Sequence, residues 1–339
     1  MQLTELKSGG HIERLALLVK SASVQKAKSG KDFLSLVLTD GDSETQAKVW
    51  SWDSPASDTP KTGAVIVLAG RVEEYQGLTQ IIISRFESAS GDEADPARYL
   101  PRAPRAIEDM VADIRRAVKE IKDDGIRKIV IKLVDDGMKK AALAAAPASQ
   151  KLHHAEVGGL LHHITDMLAV ARALCGVYAS LNPDLLLAGV IIHDLGKLQE
   201  LSFAGAGLAE DYTLEGRLAG HLVIGARAVR AAAAECGAPE ETALLLEHLV
   251  LAHHGVREFG SPVLPQIPEA IALNAIDLLD AKMFQCDAAL KNVKPGGFTE
   301  KLWHLENRQL YKARGAEARD GGADGFAGGF ADARTEAGS

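Results

Sequence analysis

Apolar and polar positions alternate through the first 88 residues. The segments "RLALLVKSASVQKA" (14–27), "FLSLVLTDGD" (33–42), "TQAKVW" (45–50), "GAVIVLAGRVEEYQG" (63–77) and "LTQIIISRFES" (78–88) carry strand-like patterns, with Gly, Asp and Ser at the joins. A period of two belongs to a strand, because successive side chains point to opposite faces. Five such segments with turn signals, and no long helical pattern among them, predict a small closed barrel or sandwich. The stretch "ASGDEADPARYLPRAP" (89–104) is polar, holds three prolines and reads as a linker over 89–105. The period then changes. In "AIEDMVADIRRAVKEI" (106–121) the residues Ile107, Val111, Ile114, Val118 and Ile121 recur at steps of three and four, which marks one face of a helix. Helical patterns run on to about 312, broken by Gly and Pro clusters.

The predicted fold class is therefore α+β and multidomain: a five-stranded OB-type β-barrel over 1–88, the linker, an all-α domain over 106–312 and a Gly-rich, Ala-rich tail over 313–339. The tail has too little apolar surface to offset ordering and is expected to be disordered. The N-terminus lacks the basic and apolar regions of a secretory signal, and no apolar run approaches the roughly 20 residues of a bilayer span. A cytoplasmic protein without a membrane segment is expected. Cys175, Cys236 and Cys286 lie far apart and form no paired motif, so reduced, buried thiols are expected. The net charge of −8 argues against a protein that merely coats nucleic acid, though not against an enzyme acting on it.

Histidine placement changes the picture most. Nine of the eleven histidines fall between 153 and 254, in "KLHHAEVGGLLHHITDML", "IIHDLGK", "LAGHLVIG" and "EHLVLAHHGV", and "ALNAIDLLDAKM" follows with acids. His163 sits in a helical pattern. His193 and Asp194 end an apolar helix, His253 and His254 end another before Gly255, and Asp277 belongs to a further helix. Separate helices delivering imidazoles and carboxylates would make a mixed N/O site, which suits Mn, Fe, Co, Ni or Zn better than Ca or Mg alone. His221, His253 and His254 suffice for a second ion. Two ions about 4 Å apart, bridged by Asp194, form an arrangement that hydrolyses phosphoesters. His153 and His154 remain open between substrate contacts, outer partners that orient ligands and polar helix-start residues, and Asp280 between such a partner and a surface or salt-bridged acid.

The order H…HD…D, realised as His163, His193-Asp194 and Asp277, resembles the HD-domain metal-dependent phosphohydrolase superfamily. The tandem order of barrel and helical segments resembles the YhaM-type 3′→5′ exoribonucleases more closely still. "FLSLVLTDGDSETQAKVW", "LHHAEVGGLLHH", "AGVIIHDLGKLQEL", "YTLEGRLAGH", "LVLAHHGVREFGSP", "LDAKM" and "GGFTEKLWHLENR" carry that likeness over roughly residues 10 to 312. The resemblance implies His163, His193, Asp194 and Asp277 as ligands of one ion. It implies His221, His253 and His254 as completing a second, and Lys197 as facing a substrate phosphate. Asp194 and Lys197 are thus the candidate catalytic residues. Two divalent transition ions are expected, manganese first, with metal-activated water cutting single-stranded RNA from its 3′ end to nucleoside 5′-monophosphates. Single-stranded DNA as a second substrate and a homo-oligomeric state are compatible with this. In the barrel, Phe33 and Trp50 could stack on bases, and Lys28 and Lys31 could track phosphates. Aromatics also fill barrel cores, however, and charge runs are often plain solvated surface. The competing readings are a phosphohydrolase of nucleotides or cyclic dinucleotides with a regulatory barrel, and a non-catalytic RNA-binding module with a structural metal.

Overall fold

The structure, a computed structural model, describes residues 2–315 except 28, 56–57, 76–77, 140–141, 149–153, 155, 205–207 and 292. Lys28, His153 and most of the tail therefore lie outside the described residues. The chain divides into two compact units, Met1–Phe284 and Gln285–Ser339.

Five strands close the barrel: β1 (His11–Lys26), β2 (Asp32–Thr39), β3 (Glu44–Trp50), β4 (Val65–Tyr75) and β5 (Leu78–Ser88), in the order β1-β2-β3-β5-β4. All pairings are antiparallel except β3 with β5, which run parallel around Ala47↔Ile81. The long β1 serves two neighbours, pairing with β4 over its first half and β2 over its second. Period-two alternation decides the inside. Leu34, Leu36 and Leu38 of β2 point inward, as do Ile66 and Leu68 of β4 and Ile81 and Ile83 of β5.

The proline-bearing stretch after β5 is not open chain. It makes short 3-10 turns over Gly91–Ala94 and Pro96–Tyr99, and Leu100 is buried against Leu18 and Val65. Backbone bonds from Ala103 N to Val157 O (3.1 Å) and from Val157 N to Pro101 O (2.9 Å) tie it to the start of the helical region.

The helices are α1 (Ile107–Glu120), α2 (Asp124–Lys139), α3 (Ala142–Ala145), α4 (Gly159–Val177), α5 (Pro183–Ile192), α6 (Lys197–Glu200), α7 (Leu214–Cys236), α8 (Glu240–Ala252) and α9 (Pro268–Leu290). A two-stranded hairpin, β6 (Leu201–Ala204) and β7 (Leu208–Tyr212), interrupts what the sequence pattern read as purely helical. Asn182 caps α5 by accepting from Asp184 N and Leu185 N, and Pro183 opens the helix where its missing N–H costs nothing. Every residue of α5 from Leu185 to Ile192 is buried. That environment fits a helix apolar on all sides. By length and composition alone α4 could cross a bilayer, a test that buried core helices also pass. Its apolarity has a local explanation, since Leu160, Leu161, Ile164, Met167, Leu168 and Ala171 all pack into the helical core. The cysteines are free thiols, but half-buried rather than buried.

In the second unit, isolated bridges join Phe298 to Tyr311 and Leu302 to Arg308. Lys312 Nζ donates to Leu290 O at 2.9 Å.

Candidate metal centre

The ends of α5 and α8, the second turn of α4, the middle of α9 and a kink in α7 meet at one point. His163 comes from α4, His193 and Asp194 follow α5, His221 follows the non-helical Gly220 inside α7, His253 and His254 follow α8, and Asp277 lies on α9. At Gly255 the chain turns with φ +78, and an added Cβ would fall 2.5 Å from the Asn274 side chain. Asn274 Nδ2 donates to His253 O at 2.8 Å, so this tight turn fixes both histidines beside it.

Seven side chains then sort into two sets around one carboxylate. His163 Nε2 lies 3.3 Å from His193 Nε2 and 3.3 Å from Asp277 Oδ1. Asp194 Oδ2 faces this set, 3.5 Å from His193 Nε2. On the other side His221 Nε2 and His254 Nε2 are 3.3 Å apart. Asp194 Oδ1 faces these, 3.7 Å from His221 Nε2 and 3.6 Å from His253 Nε2.

Each of the five imidazoles is tethered from behind through Nδ1. His193 Nδ1 donates to Val190 O (2.9 Å) and His253 Nδ1 to Val250 O (2.8 Å). His254 Nδ1 donates to Phe259 O at 2.7 Å. His221 Nδ1 meets Glu200 Oε1 at 3.0 Å and His163 Nδ1 meets Asp280 Oδ2 at 2.6 Å. A ring that donates from Nδ1 presents the Nε2 lone pair forward, which is how protein sites hold cations. Two atoms test whether a cation fits. Asp194 Oδ1 and His253 Nε2 are buried with no hydrogen-bond partner. A buried polar atom left unpaired costs about 1–3 kcal/mol, and both atoms face the inside of the second set. The donor set of imidazole nitrogens and carboxylate oxygens suits a divalent transition ion.

Electrostatics agree with that fit. Burial disfavours charge on Asp194, yet Lys197 and His193 hold its carboxyl well below the usual range. Burial likewise opposes charge on Asp277, and His163 outweighs it, so that carboxyl is also held low. Burial pushes His253 down to about 4, leaving a neutral ring. For His163 burial is outweighed by Asp277 and Asp280, which raise it to about 9. In the metal-free protein this ring is therefore charged at neutral pH, and a cation must displace its proton. Cation affinity is expected to rise with pH up to about 9 and then level off. Calorimetric titration with Mn²⁺ in buffers of different protonation enthalpy checks this, and an affinity that stays flat across that range with no proton release would refute it.

Other sequence expectations land differently. Lys197 does not point into open space: its ammonium donates to Asp194 Oδ2 (2.6 Å) and Ala148 O (2.7 Å). In the barrel Phe33 is buried at 8% exposure beneath Trp50, with ring centroids 5.0 Å apart, because β2 places it opposite Trp50 in the pleat. Trp50 and Tyr75 are the exposed aromatics of this face. Lys31 is exposed nearby on the turn before β2, and Lys28 lies outside the described residues. Sequence reasoning missed Lys48, whose Nζ stands 6.0, 5.6 and 5.0 Å from the Phe33, Trp50 and Tyr75 ring centroids. Its signal was available, since it lies two residues from Trp50 and so on the same strand face. Glu200 was also missed. It is buried and holds His221 through both backbone N (3.0 Å) and Nδ1.

Comparison with known proteins agrees with both halves of the chain. The model of the HD domain matches residues 153–282, and that of the OB-fold nucleic acid binding domain matches residues 18–89. The chain is 38% identical over 296 residues to the 3′-5′ exoribonuclease YhaM of Halalkalibacterium halodurans, covering 87% of this chain and 91% of that protein. With the 3′-5′ exoribonuclease YhaM of Bacillus subtilis it shares 39% identity over 297 residues, covering 87% and 93%. With the barrel, the seven-residue cluster and these relatives in agreement, the chain belongs to the YhaM family.

Proposed function

We propose that this protein is a 3′→5′ exoribonuclease that hydrolyses single-stranded RNA to nucleoside 5′-monophosphates at a centre holding two divalent cations, manganese first. The observation that carries the reading is Asp194, whose two carboxylate oxygens face separate imidazole sets. A bridging carboxylate between two N-donor sets is what a two-ion phosphodiesterase needs.

His163, His193, Asp277 and Asp194 would hold one cation, and His221, His253, His254 and Asp194 the other. Bound there, the cations supply Lewis-acid stabilisation at phosphorus and an acidified water at neutral pH. The chain's own groups do the rest. The Nδ1 tethers stop the rings from rotating, so no reorganisation is needed when the phosphodiester arrives. Lys197 fixes the plane of the Asp194 carboxylate and keeps positive charge beside the place where a phosphate enters. On the barrel, Trp50 and Tyr75 offer faces for bases, and Lys48 adds a cation that neither ring can supply. Single-stranded DNA fits the same stacking faces. The three free thiols suit a reducing compartment such as the cytoplasm.

The test is direct. Protein supplied with Mn²⁺ should shorten 5′-labelled single-stranded RNA to a descending ladder with nucleoside 5′-monophosphate as product. RNA left intact while a cyclic dinucleotide is hydrolysed would overturn the reading. Trp50→Ala should weaken RNA binding by about 1–3 kcal/mol, or roughly 5- to 150-fold in Kd. Fluorescence anisotropy without added metal measures this, and unchanged affinity would remove Trp50 from the RNA path.

A further inference from the structure

A second cluster of imidazoles and carboxylates lies beside the first, and nothing in the proposed reaction uses it. His154 Nδ1 and His162 Nδ1 face each other at 3.1 Å. Glu156 Oε1 lies 2.7 Å from His162 Nδ1 and 3.7 Å from His154 Nδ1. A tetrahedral ion with arms of about 2.0–2.1 Å sets its ligand atoms about 3.3 Å apart, and these three separations bracket that value.

Three further observations point the same way. Each imidazole is held on its far side by a carboxylate: His154 Nε2 by Asp280 Oδ2 at 2.9 Å, and His162 Nε2 by Asp166 Oδ2 at 3.3 Å. Nδ1 is thus the ring atom that each imidazole presents toward Glu156, and His162 Nδ1, which donates to Glu156 Oε1 at 2.7 Å, would give up that proton to a bound cation. The backbone is also committed to this placement. His154 adopts φ 44, in the left-handed region that a side chain disfavours. The loop folds so tightly onto α4 that a Cβ at Gly159 would lie 1.9 Å from His154 O. Finally, Phe284 covers one side, its ring centroid 4.2 Å from that of His154. The Glu156 and His162 side chains stay 10% and 12% exposed, which leaves a way in.

We propose that His154, Glu156 and His162 form a third divalent-metal site, separate from the two-cation centre, with zinc as its preferred ion. Two imidazoles and one carboxylate match the ligand type of zinc rather than of magnesium or calcium, and three protein ligands leave the fourth position open. The site touches the centre through one atom. Asp280 Oδ2 accepts from both His154 Nε2 and His163 Nδ1, the latter at 2.6 Å. A cation on His154 strengthens that ring's donation to Asp280, and so changes how firmly Asp280 holds the His163 ring.

The experiment counts ions in the full-length protein. Chelator-stripped protein is equilibrated with zinc, freed of excess and assayed by mass spectrometry for zinc per chain. The wild type should hold about one more ion than a Glu156→Gln/His162→Gln variant, while Asp194→Asn should lose ions from the main centre and keep the one on His154. Failure of the two-cation reading would show in the Asp194 variant, and failure of this proposal in the double variant. An equal count in wild type and double variant overturns the proposal. Anomalous diffraction from wild-type crystals grown with zinc guards against a misfolded variant. A peak among His154 Nδ1, His162 Nδ1 and Glu156 Oε1 supports the site, and peaks at the main centre alone overturn it.

Discussion

Asp194→Asn is expected to abolish RNA degradation while leaving the fold in place. The substitution keeps the shape of the side chain but exchanges one oxygen for an NH2 that has no lone pair to give. One of the two imidazole sets therefore loses its shared ligand, whichever way the amide turns. Forfeiting about 4 kcal/mol of charge stabilisation corresponds to a rate loss of roughly 10³-fold. Lys197 also loses its carboxylate partner, although Ala148 O still accepts from it. A modest loss of stability, on the order of 1–2 kcal/mol, should accompany the change. Single-turnover RNA decay and a thermal melt separate the two effects. An Asn variant with wild-type turnover would remove this carboxylate from the chemistry.

Gly196→Ala should cost both stability and activity, for a steric reason. A Cβ there would meet His221 O at 2.2 Å and Gly225 N at 2.9 Å, and both are backbone atoms of α7. Backbone cannot swing aside as a side chain end can, so α6 must be pushed off α7. Overpacking of this kind costs about 1–3 kcal/mol or more. The displaced segment carries Asp194 and Lys197 on one side of the centre, while His221 stays on the other. A shift of about 1 Å between such groups can reduce rate about 10²-fold. Gly176→Ala is the control. Nothing lies within 4 Å of a Cβ at that position in α4, so that variant should gain up to about 1 kcal/mol from the better helix former. If both variants melt alike, the close approach of α6 to α7 is not what holds the centre together.

The parts of this protein that were legible in the sequence were those governed by a period or by a rare residue type. Strand alternation placed the barrel, because Leu34, Leu36 and Leu38 must all face inward or none can. Histidines at the ends of apolar runs marked the centre, because burying an imidazole without a partner is costly enough to require a reason. What stayed hidden was whatever depends on chain segments meeting in space. Glu200 follows the "HDLGK" stretch as an ordinary acid, and only the fold brings it under His221. Asp280 looked as much like a surface acid as a partner, because its contacts with His154 and His163 span 126 and 117 residues of sequence. The hairpin β6–β7 was missed for a different reason. Its strands of four and five residues are too short to show a period, and the Gly and Ala around them carry little strand preference.

The buried α5 has a consequence for genetics. From Leu185 to Ile192 this helix presents no face to solvent, so that stretch meets neither substrate nor solvent, yet its C-terminus aims the shared carboxylate. A saturation screen scored by transcript turnover would flag 185–192 as intolerant, and a reader would take that as a footprint of RNA contact. Scoring the same library for abundance would reveal the tract as a mounting, where lost activity follows lost alignment.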